Sequence, residues 1–372
     1  MQNYFIISGI AQGKAFCNRE VEREKLRYNI ETGAATLVMS PRRYGKTSLI
    51  HKVLAEMQLP FAYIDLYKAL SEKDIIDVIL DGVGALLGTM EPTAEKLLKT
   101  AGKFFSDIQI GISAKGYGLS VKWDRNAQSS IQLLTNTLEK LDAYAKKQKQ
   151  RVVMVMDEFQ SVYHVMRSNY AIEAAIREIA QKSSHVVYIF SGSTRHILDG
   201  MFHDKARPFY RLCDVIYLDR IKTESYVPYI NKAAKARWHS NLSKSVMEAI
   251  LLATENYPYY VNKLCHLLWQ ADTIPTVEQV EVSWRQFAYE SKMAIDRYID
   301  ELSLNQKRIL VHLAQQPIRQ PSSSENVRSW GMNGASIHQA LKVLLEKDYV
   351  YQRVDGCYDI LDPLVKAVLR AQ

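Results

Sequence analysis

Residues 40–47 read SPRRYGKT, a run that can do phosphate chemistry. Gly45 lets backbone N–H groups approach phosphate oxygens, Lys46 offers a cation to β- and γ-phosphates, and the Thr47 hydroxyl can ligate Mg2+. A helix that starts there adds partial positive charge and unpaired N–H donors at its N-terminus. The candidate phosphate cradle is therefore Ser40, Pro41, Arg42, Arg43, Tyr44, Gly45, Lys46, Thr47 and Ser48. Ser40 stands where the pattern GxxxxGK[ST] has its first glycine, and Gly-Lys-Thr alone also reads as a helix cap.

A second motif bears on the choice. In RVVMVMDEFQ, residues 151–160, an apolar run ends in two adjacent carboxylates, Asp157 and Glu158. Such a run suits a parallel strand buried on both faces, and its C-terminal end faces the crevice where α/β sheets bind ligands. Asp157 is placed to hold Mg2+ through water, and Glu158 to polarise a water attacking a γ-phosphate. The plainer reading is a strand that ends in a solvated acidic turn. Two such motifs in one chain favour a common ligand, ATP with Mg2+.

The elements that must position these residues can be read from the apolar pattern. Ala35–Met39 forms a strand that runs into the phosphate loop, and Ser48–Met57 a helix that leaves it. Core strands are expected at about 35–39, 61–66, 152–157, 186–191 and 214–218, separated by helical patterns, the signature of an α/β fold with a parallel sheet. Residues 108–123 alternate about Lys115-Gly116 and read as a β-hairpin insertion, either covering a sheet edge or binding a partner. Residues 127–149 read as a helix ending in a basic cluster, and residues 221–300 turn helical.

Composition sets the outer bounds. A length of 372 residues predicts two or three domains, and 47% hydrophobic with 24% charged residues is ordinary for a water-soluble protein. No run of eighteen apolar residues offers a membrane span, and the segment MQNYFIISGIAQGK lacks the basic start and apolar core of a signal peptide. Cys17, Cys213, Cys265 and Cys357 show no CxxC spacing, which predicts free thiols in the cytoplasm rather than a zinc site. The net charge is +8. Residues 301–372 carry nine Lys/Arg against seven Asp/Glu and residues 221–300 nine of each, which leaves +6 for residues 1–220, where an anionic nucleotide would bind.

The set SPRRYGKTSLI, MVMDEFQ, IFSGSTRHIL and PFYRL resembles AAA+-related, STAND-type signal-transduction ATPases, which are similar to origin-recognition ATPases. The resemblance implies a P-loop core with a parallel five-stranded sheet over residues 1–220, a helical lid over 221–300 and a winged helix-turn-helix over 301–372. It implies that FCNREVE carries the adenine-pocket box hhGRxxE, with Phe16 and Arg19 matching and Asn18 in the glycine position. Asn tolerates positive φ, so that turn can survive. Ser193, or alternatively Ser191, takes the place of a γ-phosphate sensor, and Arg195 follows it. Arg207 and Arg211 lie where relatives carry an arginine finger, although a salt bridge packing the loop is an equal alternative. NYPYYVNKL matches a lid motif at Pro258, with Asn256 where glycine is expected.

The last segment also reads on its own. Helical patterns at LNQKRILVHLA, NVRSWG and NGASIHQALKVLLEKDYV precede two short strands flanking Asp355-Gly356, a hairpin signal. Three helices and a hairpin make a winged helix, with Asn333, Ser336, His338, Gln339 and Lys342 exposed on the third helix. One permanent cation among five supplies few phosphate contacts, so duplex DNA and a protein partner stand level. The leading expectation is an ATP-hydrolysing switch that reports its nucleotide state through this module. An ATP-regulated DNA-binding protein and a scaffold that self-associates when ATP-bound are the alternatives.

Overall fold

A computed structural model describes residues 4–91, 93–104 and 130–371, in two compact units. The hairpin expected at 108–123 and the start of the helix expected at 127–149 lie outside the described residues.

The first unit comprises Arg19–Arg42 and Lys46–Leu218. Its sheet contains β1 (Thr36–Met39), β2 (Phe61–Asp65), β3 (Val152–Asp157), β4 (Val186–Gly192) and β5 (Asp214–Tyr217). The strands pair in parallel in the order β2-β3-β4-β1-β5. The helices of this unit are α1 (Glu20–Thr32), α2 (Lys46–Met57), α3 (Glu72–Met90), α4 (Ala94–Phe104), α5 (Ser130–Lys147), α6 (Gln160–Met166), α7 (Ala171–Lys182) and α8 (Arg195–His203). Every residue of β1, β3 and β4 is buried, which explains their unbroken apolar runs.

Pairing register decides what meets at the strand ends. Asp65 on β2 lies opposite Asp157 on β3, and Met39 on β1 lies opposite Gly192 on β4. The carboxylate-bearing end of β3 and the loop after β1 therefore open on the same edge of the sheet. Buried polar groups hold this frame. The Asn29 amide of α1 donates to Thr36 Oγ1 on β1 and to Asp214 Oδ2 on β5, each at 3.0 Å. Burial opposes ionisation of Asp142 on α5. The backbone N–H groups of His185, Val186 and Ser184 at the head of β4 nevertheless hold its carboxyl below the usual range.

The second unit comprises Met1–Asn18, Arg43–Gly45 and Asp219–Gln372. It contains α9 (Thr223–Trp238), α10 (Lys244–Thr254), α11 (Pro258–Leu268), α12 (Val277–Asp300), α13 (Leu304–Gln315), α14 (Ser324–Trp330), β6 (Val350–Gln352) and β7 (Tyr358–Ile360), with α15 (Gly334–Glu346) before β6 and α16 (Pro363–Arg370) last. Helices α13, α14 and α15 followed by the antiparallel β6–β7 pair form a winged helix. Gly356, with φ of 83°, closes the turn between the two strands. Ile318 adds a bridge to Tyr358.

One hydrophobic core runs through this unit, from Ile230 and Val261 to Leu310, Leu344 and Val368. A charged joint supplements it. Lys366 on α16 is 7% exposed and pairs with Glu255 at 2.9 Å and Asp359 at 2.8 Å. Its side chain reaches about as far out of solvent as Asp359, which is 3% exposed, so neither charge is solvated. Arg220 reaches Glu255 at 2.7 Å and the Leu361 carbonyl at 3.0 Å. Burial opposes ionisation of Glu255, but these two cations hold its carboxyl below the usual range. Replacing Lys366 by Met should leave Asp359 without its 2.8 Å partner and Glu255 with Arg220 alone, and cost about 3 kcal/mol, read as a lower urea midpoint for this unit; an unchanged midpoint would show that the joint is decorative.

Candidate functional site

The phosphate loop takes its shape from backbone conformation. Gly45 has φ of 92°, a region that L side chains rarely adopt, although a Cβ there would meet nothing within 4 Å. Glycine is required here by conformation and not by space. Arg43 is also left-handed, with φ of 64°. Buried Ser40 turns its hydroxyl onto the Pro41 carbonyl, 2.9 Å away. The exposed loop residue Arg42 follows. Lys46 opens α2 and is 7% exposed, and Thr47 and Ser48 lie in its first turn.

The two motifs meet at Thr47. Its Oγ1 lies 3.5 Å from Asp157 Oδ2, at the outer limit of hydrogen bonding, across 110 residues of sequence. Asp157 is 8% exposed. Its Oδ1 accepts from Ser191 Oγ at 2.5 Å and from the Glu158 N–H at 3.0 Å. Its Oδ2 accepts from the Tyr63 hydroxyl, which also lies 3.2 Å from Thr47 Oγ1. Burial, with the Asp157 charge beside it, pushes the Tyr63 phenol far above its usual range, so it remains a donor. The Tyr63 ring stacks on His51 of α2 at 5.0 Å and 29°. Burial lowers the His51 pKa, and Asp157 pulls it back.

Glu158 has φ of 50°, strained for a residue with a side chain. Its Oε2 accepts from Ser193 Oγ at 3.0 Å and from the Gln160 amide. Gln160 lies against Gly192, where an added Cβ would come within 2.1 Å of the amide oxygen. Both serines considered for the γ-phosphate role thus bond to the carboxylates at the end of β3 and just after it: Ser191 to Asp157 and Ser193 to Glu158. Gln160 and Tyr63 escaped the sequence reading. Gln160 stands two residues after Glu158 and was open to inspection, whereas Tyr63 needs the β2–β3 register to be placed.

Every hydrogen bond that Asp157 accepts above comes from a neutral donor. No group of three or more His, Cys, Asp or Glu side chains able to hold a metal occurs among the described residues. A hard divalent cation would therefore be held by Asp157 and Thr47 together with oxygens from outside the protein, a set that suits Mg2+ better than a soft metal.

The remaining expected residues have defined settings. Asn18 and Arg19 have φ of 52° and 68°, so Asn does occupy a left-handed turn. Arg19 pairs with Glu22 at 2.9 Å. In the second unit, Phe16 ends a short turn (Gly13–Ala15), and Pro258 is buried in the first turn of α11. Asn256 has φ of 57°, which accounts for an Asn in a position expected to be glycine. Tyr44 packs edge-on against Tyr257 at 4.6 Å, and the Arg43 guanidinium lies over the Tyr259 ring at 4.1 Å. No described helix is long and apolar enough to cross a membrane.

Arg207 and Arg211 differ sharply. Arg207 is 8% exposed, pairs with Glu173 and lies 4.3 Å from the Tyr170 ring. Burial pushes Glu173 up to about 7 against the pull of Arg207. Arg211 is exposed, with its guanidinium 5.1 Å from the ring of Tyr210.

A family model described as "Probable winged helix domain" matches residues 293–371. A search of curated proteins finds no match to the sequence. Among solved structures, a Walker-type ATPase of Pyrococcus abyssi is similar with a TM-score of 0.70 at 16% identity, covering 99% of each chain. The Aeropyrum pernix ORC2 protein in its ADPNP-ADP complexes gives 0.59 at 14% identity, over 100% of this chain and 98% of that one. Its ADP form gives 0.51 at 13%, over 100% and 97%.

The buried pairing of Arg207 makes a stability prediction. Arg207→Ala should cost about 3–5 kcal/mol and lower the melting temperature, whereas Arg211→Ala should leave it unchanged. Equal effects would contradict the contrast between the two settings. By its sheet order, its neighbours and its C-terminal domain, the chain has the fold of the Walker-type ATPase of Pyrococcus abyssi and of the Aeropyrum pernix ORC2 protein, with a winged helix at residues 293–371.

Proposed function

We propose that the chain is an ATP-binding and ATP-hydrolysing switch of the STAND type that passes its nucleotide state to a partner through the winged helix. The observation that carries this reading is the approach of Thr47 Oγ1 to within 3.5 Å of Asp157 Oδ2, with Glu158 next in sequence. Adenine is favoured because the similar ORC2 protein was solved with ADPNP and ADP, and because Phe16 and Arg19 fit the adenine-pocket box.

In this reading, backbone N–H groups of residues 43–48 and the Lys46 ammonium take the β- and γ-phosphates. Thr47 and Asp157 would hold Mg2+, which would supply further positive charge to those phosphates. Glu158 orients the attacking water. Its Oε2 accepts from Gln160 and Ser193, which orients the carboxylate so that Oε1 can meet that water. Ser193 is then placed to exchange Glu158 for the γ-phosphate. Arg211, exposed on the loop before β5, is the better candidate for a residue acting on a neighbouring copy, because Arg207 is committed to Glu173.

The partner is the least constrained part. On α15 the Asn333 side chain is spent as a cap, accepting from the Ser336 N–H at 2.8 Å, and Lys342 lies 3.9 Å from Glu346. His338 and Gln339 are exposed. So few cations on α15 favour a protein partner or a second copy of the chain at that helix, since phosphate contacts dominate affinity for duplex DNA. A DNA-binding regulator is the second reading, favoured by the winged-helix fold itself. ATPase turnover with and without duplex DNA, alongside light scattering in each nucleotide state, separates the two.

Lys46→Ala should abolish ATP binding, and Glu158→Gln should keep binding while turnover falls by about 10²-fold or more. Full turnover by the Glu158 variant would refute its role, and undiminished binding by the Lys46 variant would refute the nucleotide site.

A further inference from the structure

The Tyr63 hydroxyl stands in the gap between the two side chains expected to share an ion. It donates to Asp157 Oδ2 and lies 3.2 Å from Thr47 Oγ1, while those two oxygens are 3.5 Å apart. The other carboxylate oxygen is already engaged, by Ser191 Oγ at 2.5 Å and the Glu158 N–H at 3.0 Å. Oδ2 is therefore the oxygen through which Asp157 can serve an ion or its water shell, and Tyr63 has taken it.

The position of Tyr63 is fixed by the fold. Its backbone lies in the middle of β2, opposite Val155 in the parallel ladder. Its ring stacks on His51, which α2 carries one turn beyond Thr47. A phenol O–H offers a buried carboxylate partial positive charge, at a cost far below that of leaving the anion unpaired. A divalent cation offers more charge to the same oxygen, but to bridge Oδ2 and Thr47 Oγ1 it needs the space that the phenol hydroxyl fills.

We propose that Tyr63 is a gate on the metal site: its hydroxyl holds Asp157 and Thr47 while no ion is present and must be displaced for an ion to enter, so that Tyr63 sets the metal affinity. This inference rests on the nucleotide reading above and names a control on that same site. It predicts that the chain loads metal less tightly than Thr47 and Asp157 alone would permit. The hydrogen bond also keeps the two ligands at their present spacing in the metal-free protein.

The test compares wild type with Tyr63→Phe, which keeps the ring and its stacking and removes only the hydroxyl. Mn2+ binding to the full chain with saturating ADP is followed by the paramagnetic resonance signal of free Mn2+. Tyr63→Phe should bind Mn2+ up to about tenfold more tightly, the loss of one charge-assisted hydrogen bond, with unchanged ADP affinity in EDTA. In EDTA the variant should melt below wild type, and with Mn2+ and ADP the deficit should vanish. Equal Mn2+ affinity would reduce Tyr63 to a structural role, and weaker affinity would make it part of the ion's support; either result overturns the gate. If wild type binds neither ADP nor Mn2+, the nucleotide reading falls first. If it binds both and the variant gains nothing, only the gate falls.

Discussion

The carboxylate of Asp157 is the constraint on which the site depends. It sits at the end of a fully buried strand and is 8% exposed, where an uncompensated anion costs several kcal/mol. The protein meets that cost with hydroxyls and one backbone N–H. Each donor comes from a different element: Ser191 from β4, Tyr63 from β2, the N–H from the residue after β3. The parallel order β2-β3-β4 is what lets both flanking strands reach it. Neutral donors stabilise the charge without cancelling it.

Glu158 shows the same economy on the next residue. Its left-handed backbone turns the side chain toward the end of β4, where Ser193 and Gln160 hold it. The close approach of Gln160 to Gly192 fixes that arrangement from behind, because any side chain at residue 192 would meet the amide. The two acidic residues thus have distinct settings despite being adjacent. One accepts from three elements, and the other from two buried side chains, Ser193 and Gln160. In the second unit, the buried joint of Arg220, Glu255, Asp359 and Lys366 ties the end of α10 to β7 and α16.

Much of this was legible in the sequence because it is local. A glycine before Lys-Thr, an apolar run ending in Asp-Glu and an Asp-Gly between short strands each fix a conformation within a few residues, and β1 to β5 fall within one residue of the expected spans. The substitution of Asn18 for glycine was also readable, because Asn tolerates left-handed φ, whereas the same conformation at Asn256 came only with the structure. What escaped depends on register and distance. Tyr63 reaches Asp157 across 94 residues, and nothing in FAYID distinguishes a ligand-facing tyrosine from a packing one. The Arg207–Glu173 pair spans 34 residues, so its choice over an exposed role could be decided only by tertiary packing.

The central claim, that the phosphate loop and the β3 carboxylates converge on one metal-bound triphosphate, is tested most directly by diffraction. Crystals grown with Mn2+ and a non-hydrolysable ATP analogue would locate the ion by anomalous scattering. The account predicts one peak at bonding distance, ~2.1 Å, from Thr47 Oγ1, beside Asp157 Oδ2 and against the phosphates. An ion bound elsewhere, or a nucleotide whose phosphates avoid Lys46, would contradict it.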